Sequence, residues 1–512
     1  MTDAPPMQTR ARMARHTLWN LVGMCAPMAV ALFAIPLLIR GLGQERFGLL
    51  SLVWMLVGYF GVFDLGLGRA LTKVMAEKIG RHEPHAIAAT FWTAIGLMLA
   101  LGVLGAIVVH LLSPWLATRS LNIDPALQPE TLRAFRAVAL GLPVLVTVTG
   151  LVGTLEACHR FPLINAIRVP MGAFTFMGPL LVLPFSTDLF AVVLVLLAGR
   201  LVEWFLFFIA CLRVVPGLQT LPRFNAGEAP GLLRFGGWMT VSNIVQPLMI
   251  HIDRFLIGAI RTVADVSFYV TSAEIVVKLL ILPRAWVSVL FPTFAAHHRD
   301  RPEATGALFA QSVRLLMIAL FPVVLLLVTF APEGLALWLG PEFGERSAPV
   351  MRWLSAGIFL FSLAFVPTSL LQGTGRPDLT AKWHLLELPL YLGAAYGLIS
   401  RYGITGAAAA WLLRAAADLA GMSIMAARRA PGSAASMVRI GVAAGVALLF
   451  LAVAAQPDVL SIRLALFVVL GLAFAGICWC WLFTDDDRRI ALKLAARVWP
   501  GTGSIDSSAA PR

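Results

Sequence analysis

The amino-acid sequence predicts an all-α protein that crosses a membrane many times. Of its 512 residues, 59% are hydrophobic and only 13% are charged, and the mean hydropathy is +0.84. Soluble domains carry about 25% charged residues, and disordered chains have the opposite compositional bias, so both classes are excluded. Apolar runs of about 20 residues, which cross about 30 Å of hydrocarbon as a helix, recur along the whole chain.

About fourteen such runs can be placed, although the short turns between them leave a range of about twelve to fourteen. Three arginines precede the first run, which is longer than the core of a signal peptide, so we expect 17–39 to be a retained span. The predicted spans are 17–39, 48–68, 87–111, 135–156, 163–184, 189–211, 234–258, 264–291, 308–330, 351–372, 382–400, 404–427, 437–455 and 463–484.

The distribution of basic residues predicts the orientation. With the N-terminus inside, about 23 of the 40 Lys and Arg residues lie in inner segments and about 10 in outer loops. This asymmetry favours an even number of spans with both termini in the cytoplasm. Because the outer loops near 112–134 and 331–350 are short, we expect no catalytic domain outside the membrane.

A weak internal repeat predicts the domain organisation. Asn20 and Pro27 of the first span correspond to Asn243 and Pro247 of the seventh, which suggests two related six-helix bundles followed by two extra helices. The expected segments are a basic cytoplasmic N-terminus at 1–16, bundles at 17–211 and 234–427 joined by a cytoplasmic linker at 212–233, two added helices at 437–484, and a cytoplasmic tail at 485–512.

Several function classes are excluded by the same sequence. The net charge of +13 is scattered between apolar runs rather than gathered on one face, so no nucleic acid is expected as a partner. A phosphate-binding loop of the G-x-x-x-x-G-K-[ST] type is absent, which disfavours ATP hydrolysis. The five cysteines are dispersed, and no metal-ligand spacing occurs. We therefore expect a transporter, not an enzyme, without cofactor or metal.

Ionisable and polar residues within spans mark the candidate site, since each charge costs roughly 2.5 to 3.5 kcal/mol at a helix centre. At 100° per residue, the eighth span presents one polar stripe that spans about 60°, with Arg284 about 80° from Glu274. The stripe contains Ser267, Thr271, Glu274 and Lys278. The other candidates are Asn20, Asp64, Arg168, Arg200, Glu203, Asn243, Gln246, Asp253, Arg414 and Asp418.

Each candidate also has a structural explanation. The pairs Arg200/Glu203, Glu274/Lys278 and Arg414/Asp418 have the spacing of neighbours on one helix, so each pair could neutralise itself, and Asp64 could cap a helix. By contrast, Arg168 and Arg284 have no acid within one turn of their own helix. Unpaired cations favour an anionic substrate, and the planar guanidinium suits phosphate.

Four segments resemble a known family. They are 42–52 (LGQERFGLLSL), 63–73 (FDLGLGRALTK), 252–258 (IDRFLIG) and 375–382 (GRPDLTAK). They are similar to bacterial oligosaccharide flippases of the polysaccharide biosynthesis family, which belongs to the superfamily of the multidrug and toxic compound extruders (MATE). The resemblance implies a MATE-like fold in the bacterial inner membrane. It also implies alternating-access transport of undecaprenyl-diphosphate-linked oligosaccharide for O antigen, exopolysaccharide or another surface glycan.

With this substrate, the candidate residues divide by expected role. We expect Arg168, Lys278 and Arg284 to contact phosphate, and Asp64, Asp253 and Glu274 to couple transport to protons or sodium. Hydrogen bonds to sugars would come from Asn20, Asn243, Gln246, Ser267 and Thr271. A multidrug extruder, a lipid II flippase and, in another class, a membrane glycan polymerase or ligase remain alternatives. Membrane lipid and glycan polymerase or export proteins are the other expected partners.

Overall fold

The computed structural model describes residues 7–59, 64, 66–80, 84–215, 218, 227, 248–297, 302–484 and 488. Within these ranges the side chains of 7–26, 58–59, 80, 84–86, 288–289, 292 and 295–297 are not described. Every regular element among the described residues is helical. The sequence therefore correctly predicts the all-α class.

The helices follow one another with short connections. In chain order they are α1 (Met7–Tyr59), α2 (Leu67–Gly80), α3 (Pro84–Trp115), α4 (Gln128–Ala157), α5 (Phe161–Val182), α6 (Leu189–Val214), α7 (248–260), α8 (Val263–Val277), α9 (Ile281–His297), α10 (Pro302–Thr329), α11 (Ala331–Leu339), α12 (Pro341–Arg346), α13 (Ala348–Gly373), α14 (Pro377–Ala427), α15 (Ala434–Ala454) and α16 (Leu460–Ile477). Single π-helical turns extend α3 through Leu116–Ser120 and α16 through Cys478–Leu482, and the 3₁₀ turn Lys278–Leu280 joins α8 to α9.

Ten helical segments of the described chain are long and apolar enough to cross a membrane. Their positions follow the predicted runs closely, as for α6, which is predicted at 189–211 and found at Leu189–Val214. Two of the ten are interrupted by a glycine with positive φ, Gly43 in α1 and Gly403 in α14. Each interruption separates two predicted spans, because a left-handed residue ends the regular helix.

The predicted total of about fourteen spans stays a prediction. Residues 228–247, which contain most of the predicted seventh span, lie outside the described part of the chain, and 248 is the first described residue of α7. Most of the predicted linker at 212–233 is also outside the described residues. The predicted boundaries of the two bundles therefore stay predictions as well.

One compact unit comprises Met1–Val270 and Leu392–Ala407. Its core forms where α4 packs against α3 and α6, with Phe91, Phe135 and Phe207 fully buried. The α3–α4 contact depends on Gly102, where a Cβ would lie 2.5 Å from Pro143 Cα. At the end of α3, the Asn122 amide nitrogen Nδ2 donates to Arg261 O at 2.6 Å and ties this helix to the end of α7.

The second compact unit comprises Thr271–Tyr391 and Ala408–Arg512. At its centre lies α13, whose most apolar stretch is 89% buried, against 17% for the corresponding stretch of α16. The ring of Phe474 in α16 stacks on Phe321 of α10, with 3.8 Å between centroids. The remaining face of α16 exposes Leu464, Val468 and Leu472, as expected for a helix in contact with lipid.

Candidate functional site

The two candidate arginines without a same-helix acid lie on exposed helix surfaces. Arg168 is in the second turn of α5, and Arg284 is in the first turn of α9. Within the described part of the chain, neither side chain has a hydrogen bond or an ion pair. A guanidinium within an apolar helix is stable only if water, an anion or a lipid headgroup solvates it.

Lys278 lies at an irregular point of the backbone. It begins the 3₁₀ turn between α8 and α9, and its Nζ lies 3.4 Å from Glu274 Oε2. Both side chains are about one-third exposed. The Glu274/Lys278 pair therefore forms, as its spacing allowed, and it reduces the positive charge that Lys278 presents to a phosphate.

The predicted sugar contacts are only partly described. Ser267 and Thr271 are fully buried, and the Ser267 hydroxyl donates to Ala264 O of its own helix at 2.7 Å. The side chain of Asn20, although within α1, and the whole of Asn243 and Gln246 lie outside the described residues. The proposed roles of these five residues therefore stay predictions.

Asp64 is held by three hydrogen bonds at the start of α2. Its carboxylate accepts from Gly66 N at 2.8 Å, from Gly68 N at 2.9 Å and from the Thr149 hydroxyl of α4 at 2.9 Å. The side chain thus satisfies backbone donors at the N-terminus of α2, which is the capping role that the sequence left open. It also joins α2 to α4.

Two other ionisable groups of this unit are fully paired. Asp253 is buried in α7 and accepts hydrogen bonds from Arg254 N and from the Tyr269 hydroxyl of α8. Glu203 of α6 accepts from Arg200 Nη1 at 2.6 Å. The spacing of Arg200 and Glu203 thus corresponds to a formed ion pair within one helix.

The segment 375–382, which resembles the flippase family, has a compact geometry before the apolar part of α14. Gly375 has φ 78°, and the Arg376 guanidinium donates to both Asp378 oxygens, at 2.8 and 3.1 Å. The hydrogen bond to Asp378 raises the pKa of Arg376 above its usual value. Lys382 adds a weaker contact to Asp378 at 3.8 Å.

Four buried polar residues meet where the two halves of α14, on either side of Gly403, pack together. We call His384, Glu387, Arg414 and Asp418 the α14 cluster. His384 Nε2 lies 3.4 Å from Asp418 Oδ1. The three residues His384, Glu387 and Asp418 each place one side-chain nitrogen or oxygen atom close to the others. These three atoms all lie within 4.8 Å of one another.

Arg414 lies among aromatic rings instead of beside Asp418. Its guanidinium carbon is 5.0, 5.7 and 5.2 Å from the ring centroids of Phe361, Tyr391 and Trp411. Such contacts contribute about 0.5 to 2 kcal/mol each, more where water is excluded. The Arg414/Asp418 pair that the i,i+4 spacing allowed is therefore replaced by an Asp418–His384 contact.

His384 and Glu387 of the α14 cluster are not among the residues predicted from the sequence. A signal for them exists, because His384, Glu387 and Tyr391 have i, i+3, i+7 spacing and Trp411, Arg414 and Asp418 have the same spacing in the second half of α14. Either set alone is an unremarkable stripe. The two stripes form a polar cluster only because they face each other in the folded protein.

The protein is all-α and has many apolar helices, with arginines exposed on some of them and polar groups buried within others. These features are typical of a membrane transporter. The family model described as "Polysaccharide biosynthesis protein" matches residues 37–348. The chain therefore belongs to the polysaccharide biosynthesis protein family, as the four segments indicated.

A known relative and two solved structures extend this assignment. The chain is 29% identical over 407 residues to a candidate O-antigen transporter of Shigella flexneri, a match that covers 79% of this chain and 95% of the relative. Its fold is similar to the lipid II flippase MurJ in an inward closed conformation, with TM-score 0.67, 11% identity and coverage of 90% and 99%. An inward-facing MATE family multidrug resistance transporter gives TM-score 0.65, 18% identity and coverage of 82% and 98%. The fold is thus MATE-like, as expected.

Proposed function

We propose that this protein is a flippase that moves polyprenyl-diphosphate-linked oligosaccharide across the bacterial inner membrane by alternating access, for surface polysaccharide biosynthesis. Membership of the polysaccharide biosynthesis family and similarity to the O-antigen transporter along nearly its whole length support this proposal. The fold alone does not identify the substrate, because a lipid II flippase and a multidrug transporter have a similar fold.

The proposal depends on two arginines, Arg168 and Arg284, that lie on apolar helices. Arg168 and Arg284 are exposed and have no hydrogen bond or ion pair in the described part of the chain. A diphosphate offers several anionic oxygens, and the planar guanidinium binds such groups through two parallel hydrogen bonds. A cationic drug would be repelled by both residues.

The remaining roles follow from the same substrate. Arg168 and Arg284 are the proposed principal phosphate contacts, and Lys278 contributes less because Glu274 neutralises part of its charge. Ser267, Thr271, Asn20, Asn243 and Gln246 are proposed to bond sugars. Of the proposed coupling groups, Glu274 is the most accessible to solvent, whereas Asp64 and Asp253 are buried and hydrogen-bonded.

The proposed setting is bacterial. Undecaprenyl diphosphate is the proposed carrier, the oligosaccharide starts in the cytoplasmic leaflet, and both termini of the chain face the cytoplasm. The proposed bundles are 17–211 and 234–427, with the helices of 437–484 added to them. A glycan polymerase acting on the flipped product is the proposed functional partner.

A reconstituted system tests the substrate directly. The full-length protein in proteoliposomes is supplied with a fluorescent polyprenyl-diphosphate oligosaccharide, and flipping is measured by protection from a glycosidase added outside. We expect Arg168→Gln and Arg284→Gln each to slow flipping about tenfold or more, since loss of a charged hydrogen bond costs about 1.5 to 3 kcal/mol. Arg439→Gln, which removes an exposed arginine from α15, is the matched control and should flip normally.

The same vesicles separate the alternatives. Flipping of lipid II but not of the oligosaccharide carrier would assign the lipid II function. Export of a cationic dye, with the oligosaccharide carrier left in place, would assign multidrug extrusion. A purified protein that lengthens the glycan would instead be a polymerase. Normal flipping by both arginine variants would disprove the proposed phosphate contacts.

A further inference from the structure

The α14 cluster consists of four buried ionisable side chains. His384, Glu387, Arg414 and Asp418 are 7%, 5%, 4% and 2% exposed. Two carboxylates, a guanidinium and an imidazole are therefore held together within one compact unit, away from bulk solvent. Buried charges are costly unless they are paired and hydrogen-bonded.

The internal hydrogen bonds of the cluster are incomplete. Both carboxylate oxygens of Glu387 are buried without a hydrogen-bond donor, and Nε and Nη1 of Arg414 are buried without an acceptor. The buried Oδ1 of Asp418 also has no hydrogen bond of good geometry, although it lies 3.4 Å from His384 Nε2. Each unmet group of this kind costs about 1 to 3 kcal/mol, and more when charged.

A count of charges shows what the cluster requires. With the imidazole neutral and both carboxylates ionised, the two carboxylates and Arg414 sum to one net negative charge. One added positive charge balances the cluster, whereas a divalent cation would leave it positive. Since an imidazole nitrogen accepts a proton readily and sodium prefers oxygen ligands, the presence of His384 favours the proton.

We propose that the α14 cluster is a binding site for one proton, which His384 carries between the carboxylates of Asp418 and Glu387. Hydronium of the solvent gives the proton to the ring nitrogen that is unprotonated in the neutral form and becomes water, so both ring nitrogens then carry hydrogen. The product has two cations and two anions. Histidine is the side chain that ordinarily changes charge between about pH 5 and 8.

The described side chains that form the α14 cluster and contact it lie on α13 and on both halves of α14. The first half of α14 contributes Glu387 and the Tyr391 hydroxyl, the second half contributes Arg414 and Asp418, and α13 contributes the apolar ring of Phe361. Among these described groups only the carboxylates stabilise an added proton, and Arg414 opposes it. The aromatic rings around Arg414 hold its guanidinium by cation–π attraction.

The two halves of α14 approach closely beside the cluster. Gly421 faces the Trp383 ring so tightly that a Cβ there would clash with the ring. Protonation adds attraction between His384 of one half and Asp418 of the other, so it changes the packing energy of this hairpin. In a flippase, such a site would supply the charge change that drives transport, a consequence that rests on the proposed function.

The protonation state of His384 can be measured without any transport assay. Full-length protein with ¹⁵N-labelled histidine is placed in lipid nanodiscs, and the ring nitrogen shifts are followed across this pH range. The chain has 9 histidines, and the signal lost in His384→Gln assigns that residue. The matched control, His110→Gln, removes an exposed histidine of α3. If His384→Gln does not accumulate, Asp418→Asn identifies the signal, because only the adjacent histidine should change its titration.

We expect lowering the pH to convert the His384 signal from the neutral to the doubly protonated form, because a carboxylate oxygen of Asp418 lies 3.4 Å from the ring nitrogen. In Asp418→Asn, the ratio of protonated to neutral imidazole at a given pH should fall about tenfold, because a nearby opposite charge favours the charged form. The His110 signal should be unchanged in that variant.

Three results would overturn the proton site. They are a His384 signal that stays neutral down to pH 5, a titration unaltered by Asp418→Asn, and a response to sodium chloride but not to potassium chloride at fixed pH, which would assign the cluster to sodium. Failure of the proposed function is distinguishable from these results. A protein that does not flip the oligosaccharide carrier, but whose His384 titrates as described, retains the proton site and loses only the substrate assignment.

Discussion

The buried acids of the two compact units differ in their hydrogen bonds. In the first, Asp64 has three donors, Glu203 contacts Arg200 at 2.6 Å, and Glu130 accepts from Arg46 at 2.7 Å. In the second, Glu387 is as deeply buried as these acids, yet neither of its oxygens has a donor. The burial of an acid therefore does not by itself indicate function. A paired acid stabilises the fold, whereas an unpaired one keeps capacity to bind a ligand.

Among variants that test this difference between paired and unpaired acids, the largest expected loss of stability is at the Arg200/Glu203 pair. Arg200→Met removes the partner of a buried carboxylate and should lower the free energy of unfolding by about 3 kcal/mol. The double variant Arg200→Met/Glu203→Leu, which removes both charges, should recover most of the loss. Thermal unfolding in detergent measures both. Equal stability of the single variant and the wild type would show that the pair does not stabilise α6.

A smaller effect is expected at Asp64. Asp64→Ala removes the acceptor for two backbone donors at the start of α2 and for Thr149, and should cost about 2 kcal/mol of stability. Asp64→Asn keeps one oxygen acceptor and replaces the other by an NH2 group that cannot accept, so it should cost less than Asp64→Ala but remain destabilising. If instead Asp64→Asn abolished flipping while the protein stayed stable, the carboxylate charge would have a coupling role beyond capping.

The packing beside the α14 cluster gives a third test. Gly421→Ala places a methyl group against the Trp383 ring and should destabilise the protein by about 1 to 2 kcal/mol, since overpacking forces side chains or backbone to shift. Gly441→Ala in α15, where a Cβ meets nothing within 4 Å, is the matched control and should be neutral. Similar melting temperatures for the two variants would show that the halves of α14 are not closely packed there.

The smallest effect, with the opposite sign, is expected at Glu387. Glu387→Gln replaces a buried carboxyl group that has no hydrogen-bond donor, so stability should be unchanged or rise by about 0.5 to 1 kcal/mol. Glu203→Gln, which breaks a formed ion pair, should lower stability and is the direct comparison. A destabilised Glu387→Gln would show that this carboxylate is already satisfied in the folded protein.

Hydropathy located the helices well because it is a local property. The predicted span at 437–455 corresponds to Ala434–Ala454, and the predicted breaks between spans correspond to Gly43 and Gly403. The i,i+3 spacing also gave the Arg200/Glu203 pair correctly. The same rule suggested Arg414 with Asp418, but the structure pairs Asp418 with His384, since a residue on a facing helix can be closer than one on the next turn.

The sequence by itself determined that this chain is a helical membrane protein and where its described helices lie, because the hydropathy of each segment decides whether it is stable in lipid or in water. The four short segments determined the family. Only the tertiary structure decided which ionisable groups are satisfied. Asp64 and Glu387 are both acids in apolar surroundings, and nothing local distinguishes a capped carboxylate from an unpaired one. The difference arises from donors placed by other helices, and these positions exist only after the helices have packed.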